Sequence, residues 1–224
     1  PLYSSAASDV YKRQRLLRVN AKIAVENYKR YQAFHAETTP ELPALLAYTG
    51  IVFKRLNPKD FSAEDFGYAQ EHLRLTSFCY GLLRPLDVIR AYRLEGDVVL
   101  PELGNQTLFS YWRSRLTDTF IEDIRSAGGI LCNLASDEMK SLFDWKRVES
   151  EVRVVTPEFH VWKNGKLATI VVYTKMSRGE MTRFILKNKI GNPEELKGFS
   201  WEGFEFDESL SDERKLVFIN GMGE

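Results

Sequence analysis

Asn164-Gly165, set between the apolar-rich runs 152–162 and 166–176, constrains the fold more than any other feature of the chain. Both central residues tolerate positive φ, so the pair specifies a tight two-residue turn and an antiparallel hairpin. The second run leads into residues 173–186, YTKMSRGEMTRFIL, read as the end of a strand and the opening of a helix, with Lys175, Arg178 and Arg183 around the junction. Ser177 reads as the helix N-cap, and Gly179 as a place where a ligand approaches the backbone. The first amides of a helix lack intrahelical partners and sit at the positive end of its dipole, so such a junction suits an anion. A solvated cationic helix face accounts for the same three residues, and this segment alone does not separate the two.

Apolar periodicity extends the pattern to a mixed α/β order without repeats. Residues 16–34 read as an amphipathic helix. Thr39 and Pro40 read as the cap and first position of a helix over 42–48, and Gly50 as the start of a short strand. Ser62 caps a helix over 63–83, which Pro85 ends, and an extended segment follows to Leu100. Asn105 or Thr107 starts a helix that runs to Ser126 and stops at Gly128-Gly129. Residues 130–132 are continuously apolar and read as a buried central strand that delivers Asn133 and Ser136 to the sheet edge, followed by a short helix from Asp137. Pro157 places the run 152–162 nearer an edge. Residues 204–206 and 215–219 complete the strands. The expected fold is α/β (mixed α+β): one compact domain over 15–224, with a mixed sheet flanked by helices. Residues 1–14 lack any amphipathic period, resemble a translated adapter scar, and are set apart.

Charge is balanced overall but not locally. The chain has 31 basic and 31 acidic residues, yet residues 163–189 hold seven Lys or Arg against Glu180 alone. Residues 200–213 hold six acids and no base. That separation suits a local basic cleft rather than indiscriminate polyanion binding. No apolar run approaches the ~18 residues of a membrane span. Two cysteines, Cys79 and Cys132, fit a reducing cytosol better than a disulfide framework, so a cytoplasmic location is expected. His35, His72 and His160 are too scattered for a zinc set, no metal site or cofactor is expected, and no nucleophile elbow, P-loop or dinucleotide fingerprint occurs.

Five strings occur in register: YGLLRPLD (80–87), YRLE (92–95), NLASDE (133–138), YTKMSRGEMTRFI (173–185) and GFSWEGFEFDE (198–208). Together they resemble the YaaA family of bacterial peroxide-stress proteins. The resemblance implies resistance to hydrogen peroxide, limitation of damage by intracellular iron, and DNA binding through a basic cleft with a helix-hairpin-helix element. By motif match, Arg84, Arg93, Lys175, Arg178 and Arg183 correspond to basic positions of the family; Asn133 and Ser136, delivered by the 130–132 strand, join them as candidates from the strand order. Residues 17–30 resemble the second half of the helix-hairpin-helix, with the hairpin at 19–22 and Arg18 and Lys22 toward phosphate. The family's usual first segment has no counterpart before Leu16, which implies an amino-terminally truncated member lacking the first strand and helices. The chain also departs from the family at Arg55, where glycine is frequent, and at Met176, where a second lysine is common.

The resulting expectation is phosphate-dominated recognition of DNA without sequence specificity, the segments carrying Arg84, Arg93, Asn133, Ser136, Lys175 and Arg178 meeting on one surface. Tyr80, Tyr92 and Tyr173 are candidates to stack on unpaired bases, or core rings with a wet hydroxyl. Two other classes remain open. An enzyme on nucleotides or nucleic acid would use Asp137 or Glu138 with Asn133, Ser136 and the arginines. Direct iron sequestration would use Glu205, Asp207 and Glu208.

Overall fold

A computed structural model describes residues 21–221. The elements are α1 (Ala21–Ala33), β1 (Glu41–Pro43), α2 (Ala44–Ala47), α3 (Ile51–Leu56), α4 (Ala63–His72), β2 (Leu75–Ser77), β3 (Gly81–Leu83), β4 (Val88–Arg90), β5 (Val99–Leu100), β6 (Gln106–Thr107), α5 (Leu108–Ser126), β7 (Ile130–Cys132), α6 (Asp137–Lys140), α7 (Trp145–Glu151), β8 (Arg153–Lys163), β9 (Lys166–Ala168), α8 (Val171–Asn188), β10 (Phe204–Asp207) and β11 (Lys215–Asn220). The mixed α/β class expected from the sequence is the class found. Tertiary contacts divide the described residues into two compact units, interleaved in sequence: one within 21–47, 74–120 and 137–145, and one within 48–73, 121–136 and 146–221.

The first unit is held by short ladders and buried hydroxyls. β1 pairs with β4 antiparallel, setting Glu41 opposite Arg90, whose guanidinium meets that carboxylate at 2.7 Å. Residues 42–43 are therefore strand rather than helix, and only Ala44–Ala47 is helical; the Thr39 hydroxyl donates to the Ala33 carbonyl and closes the preceding helix instead of capping the next. The expected long helix over 63–83 also ends early, at His72, because Leu75–Ser77 turns back to pair with Gly81–Leu83. Ser77 Oγ makes that turn by accepting the amides of Cys79 and Tyr80 at 3.2 and 2.9 Å. Gly81 takes φ +81°, and a Cβ there would stand 2.8 Å from the Trp112 ring. Trp112 in turn donates its indole N–H to the Phe78 carbonyl at 2.9 Å.

The second unit contains the main sheet, in the order β10-β11-β8-β7, with β9 also pairing β8. β8 is parallel to β7 and β11, while β10 and β9 add antiparallel edges, so the sheet is mixed. This reverses the expected order of burial: β7 is an edge strand with Ile130 exposed, and β8 is central. Pro157 is tolerated in the central strand because its missing donor meets no ladder. The Thr156 amide bonds to Arg214 on the β11 side, so residue 157 faces the other side, between the end of β7 pairing at Val155 and the start of β9 pairing at Val161. Asn164 and Gly165, at φ 53° and 71°, form the expected turn, although its return strand is only Lys166–Ala168.

One face of this sheet carries Val155, Phe159 and Val161 into a core with Met181, Leu196, Phe199, Phe204, Leu216 and Phe218. Phe159 stacks on Phe218 at 5.5 Å. α8 covers that core along Tyr173, Ser177, Met181, Phe184 and Ile185, a spacing of four, four and three to four that only a helix can present. Residues 51–56 are likewise helix, not strand: α3 packs on α8 and ends at Asn57 in the left-handed conformation, φ 47°. Gly179 lies at that crossing, where a Cβ would be 2.3 Å from the Val52 carbonyl oxygen.

Candidate functional site

α8 carries three of the candidate cations, and its start corrects the sequence reading. The helix begins at Val171, so Lys175, Arg178 and Arg183 lie within it and not at a strand-to-helix junction. Ser177 is fully buried in mid-helix rather than an N-cap, and Gly179 admits α3 rather than a ligand. The β-branched run Ile170-Val171-Val172 obscured the helical period, since those residues favour strand in isolation.

Helical geometry separates the three cations. Lys175 and Arg178 are three apart and share a face, whereas Arg183, five beyond Arg178, points elsewhere. Arg183 is engaged within the unit: its guanidinium meets the Asp60 carboxylate at 2.7 and 2.8 Å and also donates to the Leu56 and Asn57 carbonyls at 3.2 Å. The hydrogen bond from Arg183 holds the Asp60 carboxyl below the usual range. One turn on, Lys187 donates to Asp65 at 2.7 Å, and this bond, with the Ser62 amide, pulls Asp65 down to about 2. Arg178 is half-buried and has an intramolecular partner. Lys175 is exposed and makes no ion pair among the described residues.

Asn133 and Ser136 follow the carboxyl end of β7. The Asn133 amide donates to the Val155 carbonyl at 2.8 Å, and its Oδ1 accepts from Ala135 N at 3.3 Å. Its Nδ2 is buried without a hydrogen-bond partner, in a residue 5 % exposed. Ser136 is half-buried. Asp137 and Glu138, the acid or base candidates, are exposed, and Asp137 pairs with Lys140 at 2.7 Å. Among the carboxylates considered for iron, Asp207 Oδ1 accepts from Ser209 Oγ and Leu210 N at 2.6 and 3.1 Å, which makes it a turn cap.

Arg84, Arg93 and Lys22 belong to the first unit, as do Asp137 and Glu138. Arg84 is exposed and engaged, with its amide on Asp87 at 2.7 Å. Arg93 pairs with Glu95 at 2.8 Å, and its carbonyl accepts the Tyr31 hydroxyl. Lys22 is exposed in α1; Arg18 and residues 19–20 of the hairpin expected at 19–22 lie outside the described residues, while Ala21 and Lys22 are helical rather than hairpin. The tyrosines weighed for stacking have structural partners. Tyr80 OH bridges the backbone of Arg90, Tyr92 OH meets Ser77 Oγ at 2.7 Å, and Tyr173 lies edge-on to Phe204.

Sequence reasoning missed a carboxylate–imidazole–hydroxyl chain at the base of the β8–β9 hairpin. His160 Nε2 lies 3.2 Å from Glu158 Oε2, and its Nδ1 lies 3.1 Å from Thr169 Oγ1. Strand alternation of Glu158 and His160 was the available signal, but Thr169 joins them only through the hairpin register. The cysteines offer no reactive thiolate: burial pushes Cys79 and Cys132 each up to about 12. No helix among the described residues is long and apolar enough to cross a membrane.

Comparison with known proteins places these features in a family. The profile of a family described as peroxide stress protein YaaA matches residues 5–210, beginning within the stretch set apart from the fold. A UPF0246 protein of Bacteroides thetaiotaomicron is 99% identical over 211 residues, covering 94% of this chain and 82% of that protein. A UPF0246 protein of Phocaeicola vulgatus is 64% identical, over 92% of this chain and 80% of its own length. One from Porphyromonas gingivalis is 52% identical, over 96% and 85%. The chain belongs to the peroxide stress protein YaaA family.

Proposed function

We propose that this peroxide stress protein binds DNA through phosphate-dominated, sequence-independent contacts and in that way helps limit iron-dependent oxidative damage. The division of cations on α8 carries the reading. Arg183 and Lys187 are committed to Asp60 and Asp65, while Lys175 stands exposed without a carboxylate among the described residues. It sits in a stretch, 159–179, that contains no acid at all. An unpaired lysine adds little to folding, whereas against phosphate it releases a condensed counterion. Arg178 on the same face, Asn133 with its unsatisfied Nδ2, and Ser136 are the other candidates in this unit. Arg84, Arg93 and Lys22 are the candidates in the other, and Arg18, outside the described residues, completes the set.

The same physics links binding to iron. Phosphate oxygens are hard ligands that gather divalent cations, and protein ammonium and guanidinium groups displace them. Ferrous ion removed from the duplex generates its radicals away from the sugar and bases. Fluorescence anisotropy with labelled duplexes of unrelated sequence tests this. Lys175→Ala with Arg178→Ala should weaken binding to each duplex alike. Absence of wild-type binding even at ~50 mM salt would remove the reading.

A further inference from the structure

We propose that the β8–β9 hairpin is a prong for unpaired nucleotides, with Trp162 as its stacking ring and Lys163 and Lys166 as its phosphate contacts. The proposal rests on the DNA reading above and adds to it the class of nucleic acid bound. Among the described residues Trp162 is the one Phe, Tyr or Trp that is exposed, at 41 %. The other tryptophans are occupied. Trp112 donates to Phe78, Trp145 lies under Lys140, and Trp201 stacks on Phe204 beneath Arg55. Trp162 makes no hydrogen bond and no ring contact among the described residues, and its cross-strand neighbour, Leu167, is itself 38 % exposed. A large ring left in water at a hairpin tip forgoes the burial, full or partial, of every other Phe, Tyr and Trp among the described residues.

The opposite face of the hairpin points to the ligand's charge. Lys163 and Lys166 are directly opposed across the ladder, next to the turn, and neither has a carboxylate partner among the described residues. Like charges at that register repel, and an anion between them converts the repulsion into attraction. The scaffold is well suited to hold these groups still. Asn164 and Gly165 both take positive φ, which fixes a two-residue turn, and the Glu158–His160–Thr169 chain ties the two strands at the base.

Aromatic ring and cations together select the partner. In a duplex the base faces are stacked on one another and a surface tryptophan reaches only backbone. A single-stranded or gapped segment presents both phosphates and free π-faces, and wrapping the tip it meets the ring on one face and the two lysines on the other. The absence of any acid from residue 159 to 179 leaves nothing on this segment to repel the strand.

Binding of the full chain to an oligothymidylate of about 20 nucleotides and to a duplex of similar length, read by anisotropy and by quenching of tryptophan fluorescence, tests the proposal. Trp162→Ala should weaken oligothymidylate binding about tenfold and duplex binding less than about twofold, with Trp162→Phe retaining most of the affinity. Lys163→Ala with Lys166→Ala should reduce the single-strand log–log salt slope by ~1.4. Unchanged oligothymidylate affinity in Trp162→Ala, or an equal loss on both DNA forms, overturns the prong while the DNA reading stands. Binding to anionic vesicles without binding to oligothymidylate overturns it in favour of a membrane surface. Wild type that binds neither DNA form at ~50 mM salt removes the DNA reading, and the prong with it.

Discussion

A methyl group added at Gly179 would stand 2.3 Å from the Val52 carbonyl oxygen and 2.8 Å from Arg55 Cβ, closer than unstrained packing allows. Alanine gains ~1 kcal/mol over glycine in an open helix, whereas overpacking costs ~1–3 kcal/mol. Because one of the opposing atoms is backbone, the overpacking term wins. Gly179→Ala should lower the urea midpoint by the equivalent of roughly 1–2 kcal/mol, and a stabilised variant would contradict the tight α3–α8 crossing. Asp65 supplies a pH-dependent test. Its carboxyl lies at about 2 in the fold, held there chiefly by Lys187, against ~3.9 in an unfolded chain. A depressed carboxyl stabilises the fold fully above the unfolded value and loses that contribution as pH falls from about 4 through about 2. Lys187→Met should therefore be less stable than wild type near neutrality, the gap closing over that window. A gap independent of pH would exclude the pair as its source. Local residue chemistry was legible in sequence: Ser62 caps α4 through a reciprocal bond with Asp65, and Asn164-Gly165 turns the hairpin. Long-range pairings such as Arg183 with Asp60 were not, because 123 residues separate the partners and a cation's sequence does not show whether it is spoken for.

Among the elements, β8 and β7 exchange the roles that composition suggested. β8 pairs with β11, β7 and β9, whereas β7 has one neighbour and an exposed Ile130. Amide exchange should be slowest at Thr156, Glu158 and His160, whose amides face β11, and faster in 130–132, and equal protection would contradict the sheet order. Apolar content failed as a guide because a short edge strand can be as hydrophobic as a central one, and because Pro157 falls where no partner strand asks for its amide. Helix and strand were confused where β-branched residues open a helix, as at Val171-Val172, or where a serine-made turn interrupts a helical spacing, as at Ser77. The strands at Phe204–Asp207 and Lys215–Asn220 and the helix ended by Gly128-Gly129 were legible because alternation and glycine punctuation are local signals.

For the molecule as a whole, the five family strings divide between fold and surface. Within YGLLRPLD and YRLE, Tyr80 and Tyr92 tie their own unit through Arg90 and Ser77, and Leu83 and Leu94 are buried. Within the α8 string, Ser177, Gly179 and Met181 build the core side, and Lys175 remains exposed. Family membership was thus readable from motif order, while the division of its residues between packing and ligand binding needed the structure. The measurement that tests the account most directly is the salt dependence of duplex binding from ~50 to ~200 mM for wild type, Lys163→Ala/Lys166→Ala/Lys175→Ala and Arg183→Ala. The account predicts a steep negative log–log slope that the triple variant reduces by ~0.9 for each phosphate no longer neutralised, and that Arg183→Ala, although less stable, leaves nearly unchanged. A slope and affinity unaltered in the triple variant but abolished in folded Arg183→Ala would contradict it.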